Sequence, residues 1–325
     1  MSAYFAEPAT AETLNLATSI VNAWEKFIDP AFEELSAEEL AMFVVGRAHL
    51  NAESQILYDQ ESKQAVAFIG LMSDKNREKF WTQVAIAPNT DLMGLAVTKA
   101  IELALNVEPS WKLQPNVNDQ DAAQIAAWNS YGFEKIQTSY AMNINSLPSS
   151  FPNLPANVGM RTLQSESDWI SVKAIQGDAF DGHFGFVPIP LEDFKAFRLD
   201  SDSFDPLGIH ILSIDGIDIG YVEVTNEISH LNKGFINNIG VIHSHHKKGF
   251  GKLLLEWAFA YCASKGFEGA MLYVDIANKS GALKFYENAG MAPVSAYGTY
   301  EKLDWNKTKM SLKGIALNCF DRYPI

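Results

Sequence analysis

The spacing of hydrophobic and polar residues predicts mixed α and β structure in the second half of the chain. Short β-rich runs occupy residues 158–163, 236–242 and 270–274, each next to turn-forming residues. Between the last two runs, apolar side chains recur at the i, i+3 and i+4 spacing of a helix that packs one face on a sheet. These side chains are Leu253, Leu254, Trp257, Ala258 and Tyr261. We therefore expect a helix over 252–262 packed against a sheet that contains the central strand 236–242.

Two further helices are predicted ahead of the central strand. Residues 165–180 follow a helical pattern and begin at Ser165 or Ser167, either of which could cap the first turn. A shorter helix is predicted over 191–197. Alternation of these helices with the strands indicates a sheet flanked by helices.

An Asp215-Gly216 pair separates two β-rich runs, 209–214 and 217–225. Asp-Gly between such runs is a strong short-range signal for a β-hairpin, because both residues tolerate the positive φ of its turn. The sequence therefore predicts an antiparallel hairpin before the central strand.

The run His246-Lys247-Lys248-Gly249-Phe250-Gly251, called the glycine loop below, lies between the central strand and the helix after it. Glycines let the backbone approach a ligand closely, and a helix N-terminus attracts anions. The loop has the composition of a pyrophosphate cradle, with His245 and the two lysines forming a basic patch beside it. An ordinary strand-to-helix turn is the alternative interpretation. If His245 and His246 flank a pyrophosphate, its affinity should rise as pH falls through about 6.5, where imidazole gains charge.

A second motif follows the 270–274 run, at residues 278–291. It predicts a turn at an asparagine, followed by a short helix that ends at a glycine. Together the two motifs resemble the GCN5-related N-acetyltransferase (GNAT) family, whose acetyl-CoA signature is Gln/Arg-x-x-Gly-x-Gly/Ala followed by a strand and an Asn-x-x-Ala-x-x-x-Tyr helix. His246 replaces the family Gln or Arg, one extra residue separates Asn278 from Ala282, and Met291 replaces the usual Phe. The family spacing from Ala282 to Tyr286 and on to Gly290 is kept.

The resemblance implies an α/β fold of mixed, α+β-like character: two tandem GNAT-type domains, each with a central, mostly antiparallel mixed sheet flanked by helices. It also implies acetyl-CoA as cosubstrate, attacked directly by an amine in a ternary complex. The residues that the resemblance assigns to the cofactor are Ile239, Gly240, Val241, His246, Lys247, Lys248, Gly249, Phe250, Gly251, Lys252 and Asn278. Among them, a backbone N–H near Gly240 and Val241 would polarise the thioester carbonyl.

Tyr286 matches the family tyrosine that protonates the departing CoA thiolate, and a core tyrosine is the alternative. The general base stays open among Glu223 on the hairpin, His183 in an aromatic-rich turn, Asp275 at the end of a strand, and a water relay. A histidine titrates in the useful pH range.

The first half repeats the pattern faintly. Residues 81–88 resemble the strand that precedes the family loop, and Asp91 and Gly94 can be aligned with that loop. Asp91 then occupies the position of the family Gln or Arg. Trp128 corresponds to Tyr286 of the second half. A Pro- and Ser-rich stretch at 146–155 separates the halves. We therefore predict a degenerate N-terminal GNAT-like domain over 1–147, a linker over 148–155 and a catalytic domain over 156–325. The first copy either shapes the acceptor cleft or binds CoA without turnover.

Length and charge set outer bounds on these interpretations. The 325 residues are enough for two domains, and the formal net charge of −14 opposes binding to nucleic acid or to anionic membranes while favouring cationic substrates. No run is long and apolar enough to span a bilayer, and the N-terminus lacks a signal-peptide pattern, so we expect a cytoplasmic protein. Only Cys262 and Cys319 are present, which indicates a reducing compartment, and we expect no metal site.

The sequence thus predicts an N-acetyltransferase that acts on a small-molecule or peptide amine, with an unknown oligomeric state. A non-catalytic sensor of acyl-CoA or a small metabolite is the alternative, favoured by His246 and by the extra residue near Asn278. A nucleotide-binding enzyme is disfavoured, because the loop lacks both the Gly-x-x-x-x-Gly-Lys-Ser/Thr and the Gly-x-Gly-x-x-Gly patterns. The retained Tyr286 favours the enzyme.

Overall fold

A computed structural model describes residues 4–44, 50–276, 281–303 and 305 of the chain. The chain divides into two compact units: a first unit of residues 1–138 and 297–325, and a second unit of residues 139–296. The predicted linker 148–155 therefore lies inside the second unit rather than at its edge. Two long strands, β7 (Glu134–Ile144) and β13 (Ala292–Glu301), each contribute residues to both units.

The first unit is built on a five-stranded sheet in which β1, β2, β3 and β4 pair antiparallel in sequence order and β5 joins β4 in parallel. Its strands are β1 (Tyr4–Pro8), β2 (Ser54–Asp59), β3 (Ala65–Asp74), β4 (Lys79–Ile86), β5 (Lys112–Leu113) and, paired with β13, β6 (Asn116–Asn118). Its helices are α1 (Leu14–Ile28), α2 (Ala37–Val44), α3 (Leu50–Glu53), α4 (Met93–Val107) and α5 (Ala122–Ser130). One hydrophobic core, which includes Trp24, Phe68, Phe80 and Trp128, fills this unit.

The second unit repeats that order. Strands β8 to β11 pair antiparallel in sequence, β12 joins β11 in parallel, and residues 139–144 of β7 pair with β12. Its strands are β8 (Val158–Thr162), β9 (Ile209–Ile214), β10 (Ile217–Thr225), β11 (Lys233–Val241) and β12 (Gly269–Asp275). Its helices are α6 (Glu166–Ala179), α7 (Leu191–Leu199), α8 (Phe250–Ser264) and α9 (Ala282–Asn288). The mixed, mostly antiparallel sheets flanked by helices confirm the predicted fold class.

Local signals in the sequence explain several of these elements. Ser165, rather than Ser167, caps α6: its hydroxyl accepts the Asp168 N–H while the Asp168 carboxylate accepts the Ser165 N–H, a capping box. Asp215 and Gly216 adopt φ angles of 50° and 81°, as a two-residue hairpin turn between β9 and β10 requires. The predicted hairpin and the start of α6 are therefore confirmed.

The sheet of the second unit is covered on both faces. Helix α8 packs on one face through Leu254, Ala258 and Cys262, and the opposite face carries Trp169 of α6 and Phe194 of α7. The helical stripe predicted over 252–262 is therefore core. Its helix starts two residues earlier than predicted, at Phe250, because Gly249 is its N-cap.

Candidate functional site

Strands β11 and β12 separate at their carboxyl ends. They pair in parallel only from Lys233 to Phe235 on β11, although β11 continues to Val241 and β12 to Asp275. Ligands of open α/β sheets bind where neighbouring strands diverge beyond their carboxyl ends. The opening between the two strands is therefore the candidate site.

A β-bulge at Asn237 changes the direction of β11 at the start of this opening. Glu223 of β10 pairs with Asn238, whereas Val224 pairs with Ile236, so that Asn237 is an extra residue. Bulges bend a strand and are enriched beside active sites. The sequence-based prediction contained no bulge, because its position depends on pairing between strands.

The backbone of β11 presents donors to the opening. Ile242 donates its N–H to Ile219 of β10 at 2.9 Å. Because backbone groups alternate along an antiparallel strand, Gly240 also faces β10 while Ile239 and Val241 face the opposite side. The N–H groups of Ile239 and Val241 thus point where pairing with β12 has ended. Gly240, the third predicted backbone position, does not face the opening. A Cβ on it would lie 2.9 Å from the Ala179 Cβ, so a glycine here allows α6 to approach the strand closely.

The glycine loop forms the N-terminus of α8 as predicted. Gly249 is the N-cap residue with φ +89°, a left-handed conformation that strains any other residue, and a Cβ there would meet open space. The first N–H groups of a helix lack intrahelical acceptors, so those of Phe250, Gly251 and Lys252 are free to bind an anion. A 15-residue helix adds its dipole at this point. Such a helix N-terminus suits an anionic group.

The basic side chains of the loop are exposed, and two contacts organise them. Lys248 donates to the Ser244 carbonyl at 3.0 Å, and the His246 Nε2 lies 2.7 Å from the Val241 carbonyl oxygen. Since a carbonyl only accepts, His246 carries its proton on Nε2. The residue that replaces the family Gln or Arg thus ties the loop to the end of β11.

Tyr286 lies on α9 and is buried in the hydrophobic core of the second unit. Burial raises its pKa to about 12, so its hydroxyl stays protonated at neutral pH. Below it, Gly290 adopts φ +90° and the Met291 N–H bonds the Tyr286 carbonyl, which ends the helix as the motif predicted. Asn278, the other residue of this motif, lies outside the described residues.

His183 lies in the turn after α6, with its ring 5.3 Å from that of Phe180. Burial lowers the pKa of His183, and the neighbouring His243 and His246 lower it further, while Asp275 opposes the shift. His183 therefore lies within electrostatic range of His243 and His246, which follow β11, and of Asp275, which ends β12.

Glu223 occupies a closed environment. It is 1% exposed, its Oε2 accepts bonds from Arg198 of α7 and from Asn238 at 2.8 Å each, and the Arg198 guanidinium stacks on Phe194 at 3.7 Å. An ion-paired carboxylate removed from solvent is a poor acceptor for a substrate proton. These contacts favour a structural role for Glu223.

One pair of residues near this site was not predicted from the sequence. The Asp178 Oδ1 accepts the His243 N–H at 2.6 Å and lies 3.0 Å from the His243 Nδ1. The hydrogen bond from the His243 backbone N–H is the main cause of the lowered pKa of Asp178, and the His243 imidazole lowers it further. The two residues are separated by 65 positions, and no local signal in the sequence connects them.

Over the described ranges, no helix is long and apolar enough to cross a membrane, and no cluster of three or more His, Cys, Asp or Glu side chains could hold a metal ion. Cys262 is buried and unbonded, and burial raises its pKa to about 12, which makes its thiol unreactive. Cys319 lies outside the described residues.

Comparison with known proteins shows that residues 170–291 match the acetyltransferase (GNAT) family. Two similar proteins are mycothiol acetyltransferases. The one from Thermobispora bispora is 29% identical over 52% of this chain and 58% of its own length, and the one from Streptomyces coelicolor is 30% identical over 43% and 44%. The chain thus spans about half the length of these relatives. A third, from Propionibacterium freudenreichii subsp. shermanii, is 24% identical over 73% of each chain.

Two solved structures share the fold over nearly the whole chain. A GCN5-related N-acetyltransferase from Sphaerobacter thermophilus has a TM-score of 0.76 at 18% identity, covering 92% of this chain and 95% of its own. A tandem GNAT protein from the clavulanic acid biosynthesis pathway has a TM-score of 0.68 at 14% identity, covering 92% and 98%. The chain therefore shares its fold with both structures, one of which is described as a tandem GNAT protein.

Proposed function

We propose that this chain, whose residues 170–291 belong to the GNAT acetyltransferase family, transfers the acetyl group of acetyl-CoA to a primary amine. The observation that carries the proposal is the opening between β11 and β12 with the glycine loop at its end. Backbone donors along β11 and an anion site at α8 are what a long ligand with an acyl end and a pyrophosphate end requires.

Each reacting group has a counterpart in the second unit. The N–H groups of Ile239 and Val241 face the opening and would stabilise the oxygen of the attacked carbonyl. Tyr286, kept protonated by its raised pKa, would donate its proton to the departing thiolate. The C–N bond forms, the C–S bond breaks, and Tyr286 regains a proton from the amide nitrogen.

The first unit takes no part in this chemistry in our proposal. Its loop before α4 carries Asp91 where the second unit has basic residues, and an acid repels a pyrophosphate. Catalysis is therefore assigned to the second unit.

The acceptor is proposed to be a small molecule. The named relatives are mycothiol acetyltransferases, which favours a small-molecule amine over a peptide amine, and the net charge of −14 favours a cationic one.

The experiment has two steps. Calorimetric titration with acetyl-CoA should give tight binding at one site per chain. Release of free CoA thiol should then be followed with glucosamine, spermidine, glycinamide and tetra-alanine as acceptors, each against a blank without amine. Amine-dependent release supports the proposal, binding without release would indicate a sensor, and no binding would overturn the acetyltransferase interpretation.

A further inference from the structure

Glu223 of β10 lies directly across from the β-bulge of β11. It pairs with Asn238, the residue after the extra Asn237, and its Oε2 accepts a hydrogen bond from the Asn238 side-chain amide at 2.8 Å. The same oxygen accepts a bond from Arg198 of α7, also at 2.8 Å, and Glu223 and Arg198 are only 1% and 5% exposed. One buried carboxylate oxygen therefore connects α7 to the bulge.

The extra residue decides which N–H groups of β11 face the opening. Side chains and N–H groups alternate along a strand, so inserting or removing one residue exchanges their sides. In the bulged strand, Ile239 pairs with Val222, and its N–H faces the opening because the N–H of Ile242 faces β10. Without an extra residue, Ile239 would pair with Tyr221 and its N–H would face β10. The bulge is therefore a condition for the Ile239 donor.

The chain also contains a competing register. In a β11 without an extra residue, Asn237 would lie across from Glu223 and could make the same hydrogen bond. Ile239 would then take the place of Gly240 beneath α6, where even a Cβ would lie 2.9 Å from the Ala179 Cβ. The packing of α6 and the existing bond to Glu223 therefore both favour the bulged register.

The equivalent strands of the first unit pair in a regular register. Ala87 follows β4 and donates its N–H to β3, as Ile242 does to β10. Counting back by the same number of residues from each shows that Gln83 corresponds to Asn238. Strands β3 and β4 pair without a register shift, and the partner of Gln83 is Gly70. The first unit therefore has a glycine where the second unit has the carboxylate.

We propose that Glu223 is a positioning residue for acetyl transfer. Its bond to Asn238 keeps the extra residue of β11 in place, and so keeps the Ile239 N–H directed at the carbonyl oxygen that becomes negative when the amine attacks. Arg198 fixes Glu223 in turn. Glu223 receives no proton from the substrate in this assignment, which rests on the proposed acetyl transfer.

Asn238→Val tests this role, because it removes the amide and leaves the pair of Arg198 and Glu223 intact. Asn237 is then the amide that can bond Glu223, which draws β11 toward the competing register. The kcat of amine-dependent CoA release should fall about 100-fold, the scale of a lost oxyanion donor. Affinity for free CoA, measured by calorimetry, should stay within about twofold, because the glycine loop is unchanged.

Gln83→Val is the matched control. It removes the equivalent amide of the first unit, which donates to Glu25 of α1 at 3.1 Å. The substitution also places a valine on a strand, yet kcat should stay at the wild-type value.

Glu223→Gln separates positioning from proton transfer. The glutamine keeps an oxygen that can accept the Asn238 amide, so kcat should fall less than about tenfold and the pH profile of kcat/KM should keep its shape. A general base at this position would instead cost about 100-fold or more and remove the acid limb of the profile.

Amide NMR signals give a readout that does not depend on turnover. Binding of acetyl-CoA, compared with binding of free CoA, should shift the Ile239 signal of the wild type, since only acetyl-CoA supplies the carbonyl. The same comparison should leave the Ile239 signal of Asn238→Val unchanged.

An Asn238→Val protein with wild-type kcat, or with the wild-type response of the Ile239 signal, would overturn the assignment. So would a loss in Glu223→Gln that removes the acid limb. If Asn238→Val does not fold, Asn238→Ala takes its place with the same expectations. Wild-type protein that binds acetyl-CoA and releases no CoA with any amine would overturn the proposed function and the assignment with it. An active wild type beside an unaffected Asn238→Val would overturn the assignment alone.

Discussion

The two units share an order of elements and differ in what fills the divergence of their parallel strands. In the first unit, β4 pairs with β5 only at Lys79 and Phe80, but Gln124 of α5 is buried in the space beyond and donates to the Val84 carbonyl at 3.1 Å. The backbone position of the second unit that corresponds to Val84 is Ile239. It lies one residue further from the start of its strand, because β11 contains the extra residue Asn237.

The loops that follow differ in the same sense. Helix α4 begins after Leu92 with the buried Met93, whereas α8 begins after the left-handed Gly249 with two exposed lysines before it. The first unit therefore satisfies its diverging strand with its own side chain, whereas in our proposal the second unit leaves its strand to acetyl-CoA. The comparison teaches that the fold provides the opening, and that a few loop and edge residues decide whether a ligand can use it.

The largest expected difference separates two equivalent aromatic residues. Tyr286 and Trp128 each lie two residues before the end of their helix, α9 and α5 respectively. The backbone carbonyl of each accepts the N–H of the residue five positions later. Tyr286→Phe should reduce amine-dependent CoA release about 100-fold, the scale of general acid catalysis, whereas Trp128→Phe should leave the rate nearly intact and cost about 1–3 kcal/mol of stability.

Steady-state rates and denaturant unfolding of both variants measure these two effects. A large fall in the rate of Trp128→Phe with unchanged folding would remove the asymmetry between the units.

A second pair tests the loops. Gly249→Ala places a Cβ at φ +89° and should weaken acetyl-CoA binding about tenfold, because the left-handed backbone costs about 1–2 kcal/mol and the N–H groups move. Gly94→Ala, in α4, meets no atom within 4 Å and should leave the binding unchanged while stabilising the helix by about 0.5–1 kcal/mol. Calorimetry and thermal unfolding measure the two effects; equal losses of affinity would contradict the assignment of the cofactor to the second unit.

Gln124→Leu removes the side chain that fills the opening of the first unit. The Val84 carbonyl then loses its buried donor, which should cost about 1–3 kcal/mol of unfolding free energy. The binding stoichiometry should stay at one acetyl-CoA per chain, since the loop before α4 keeps Asp91. Two sites per chain in this variant would show that Gln124 alone excludes the cofactor.

A further effect concerns pH. Lys79 of β4 is 6% exposed, donates to Gln114 at 2.9 Å and lies 3.7 Å from the Trp81 ring centre, and burial lowers its pKa to about 8. The unfolded chain therefore binds this proton more tightly, and the contribution of Lys79 to stability rises between about pH 8 and pH 10. Lys79→Met should remove that rise. Unfolding free energies of both proteins over this range test it, and parallel curves would contradict the burial effect.

Local sequence signals predicted much of the fold. The Asp215-Gly216 turn, the Ser165 cap and the apolar stripe of α8 each depend on neighbours within a few residues, so pattern and propensity predicted them. The glycine loop was predicted for the same reason, since its two glycines and its lysines are contiguous.

The rest depends on contacts between distant residues. The sequence offers Glu223 as a candidate base on a hairpin strand, but Arg198 of α7 is bonded to it in the fold. The Asp178–His243 pair likewise joins the end of α6 to the turn after β11. Strand pairing likewise fixes the bulge at Asn237. No spacing along one chain reports such contacts, because helix packing and strand register are set by the whole core.

The two strands that contribute to both units have a further consequence. Residues 139–144 supply β12 with its antiparallel partner in the second unit, and residues 297–299 pair with β6 in the first. A cut in the 148–155 stretch would therefore separate β12 from its partner β7 and β6 from its partner β13. The two halves of the gene cannot be treated as interchangeable modules: an ancestral duplication, a domain swap or a truncated expression clone would have to exchange these strands together with the rest.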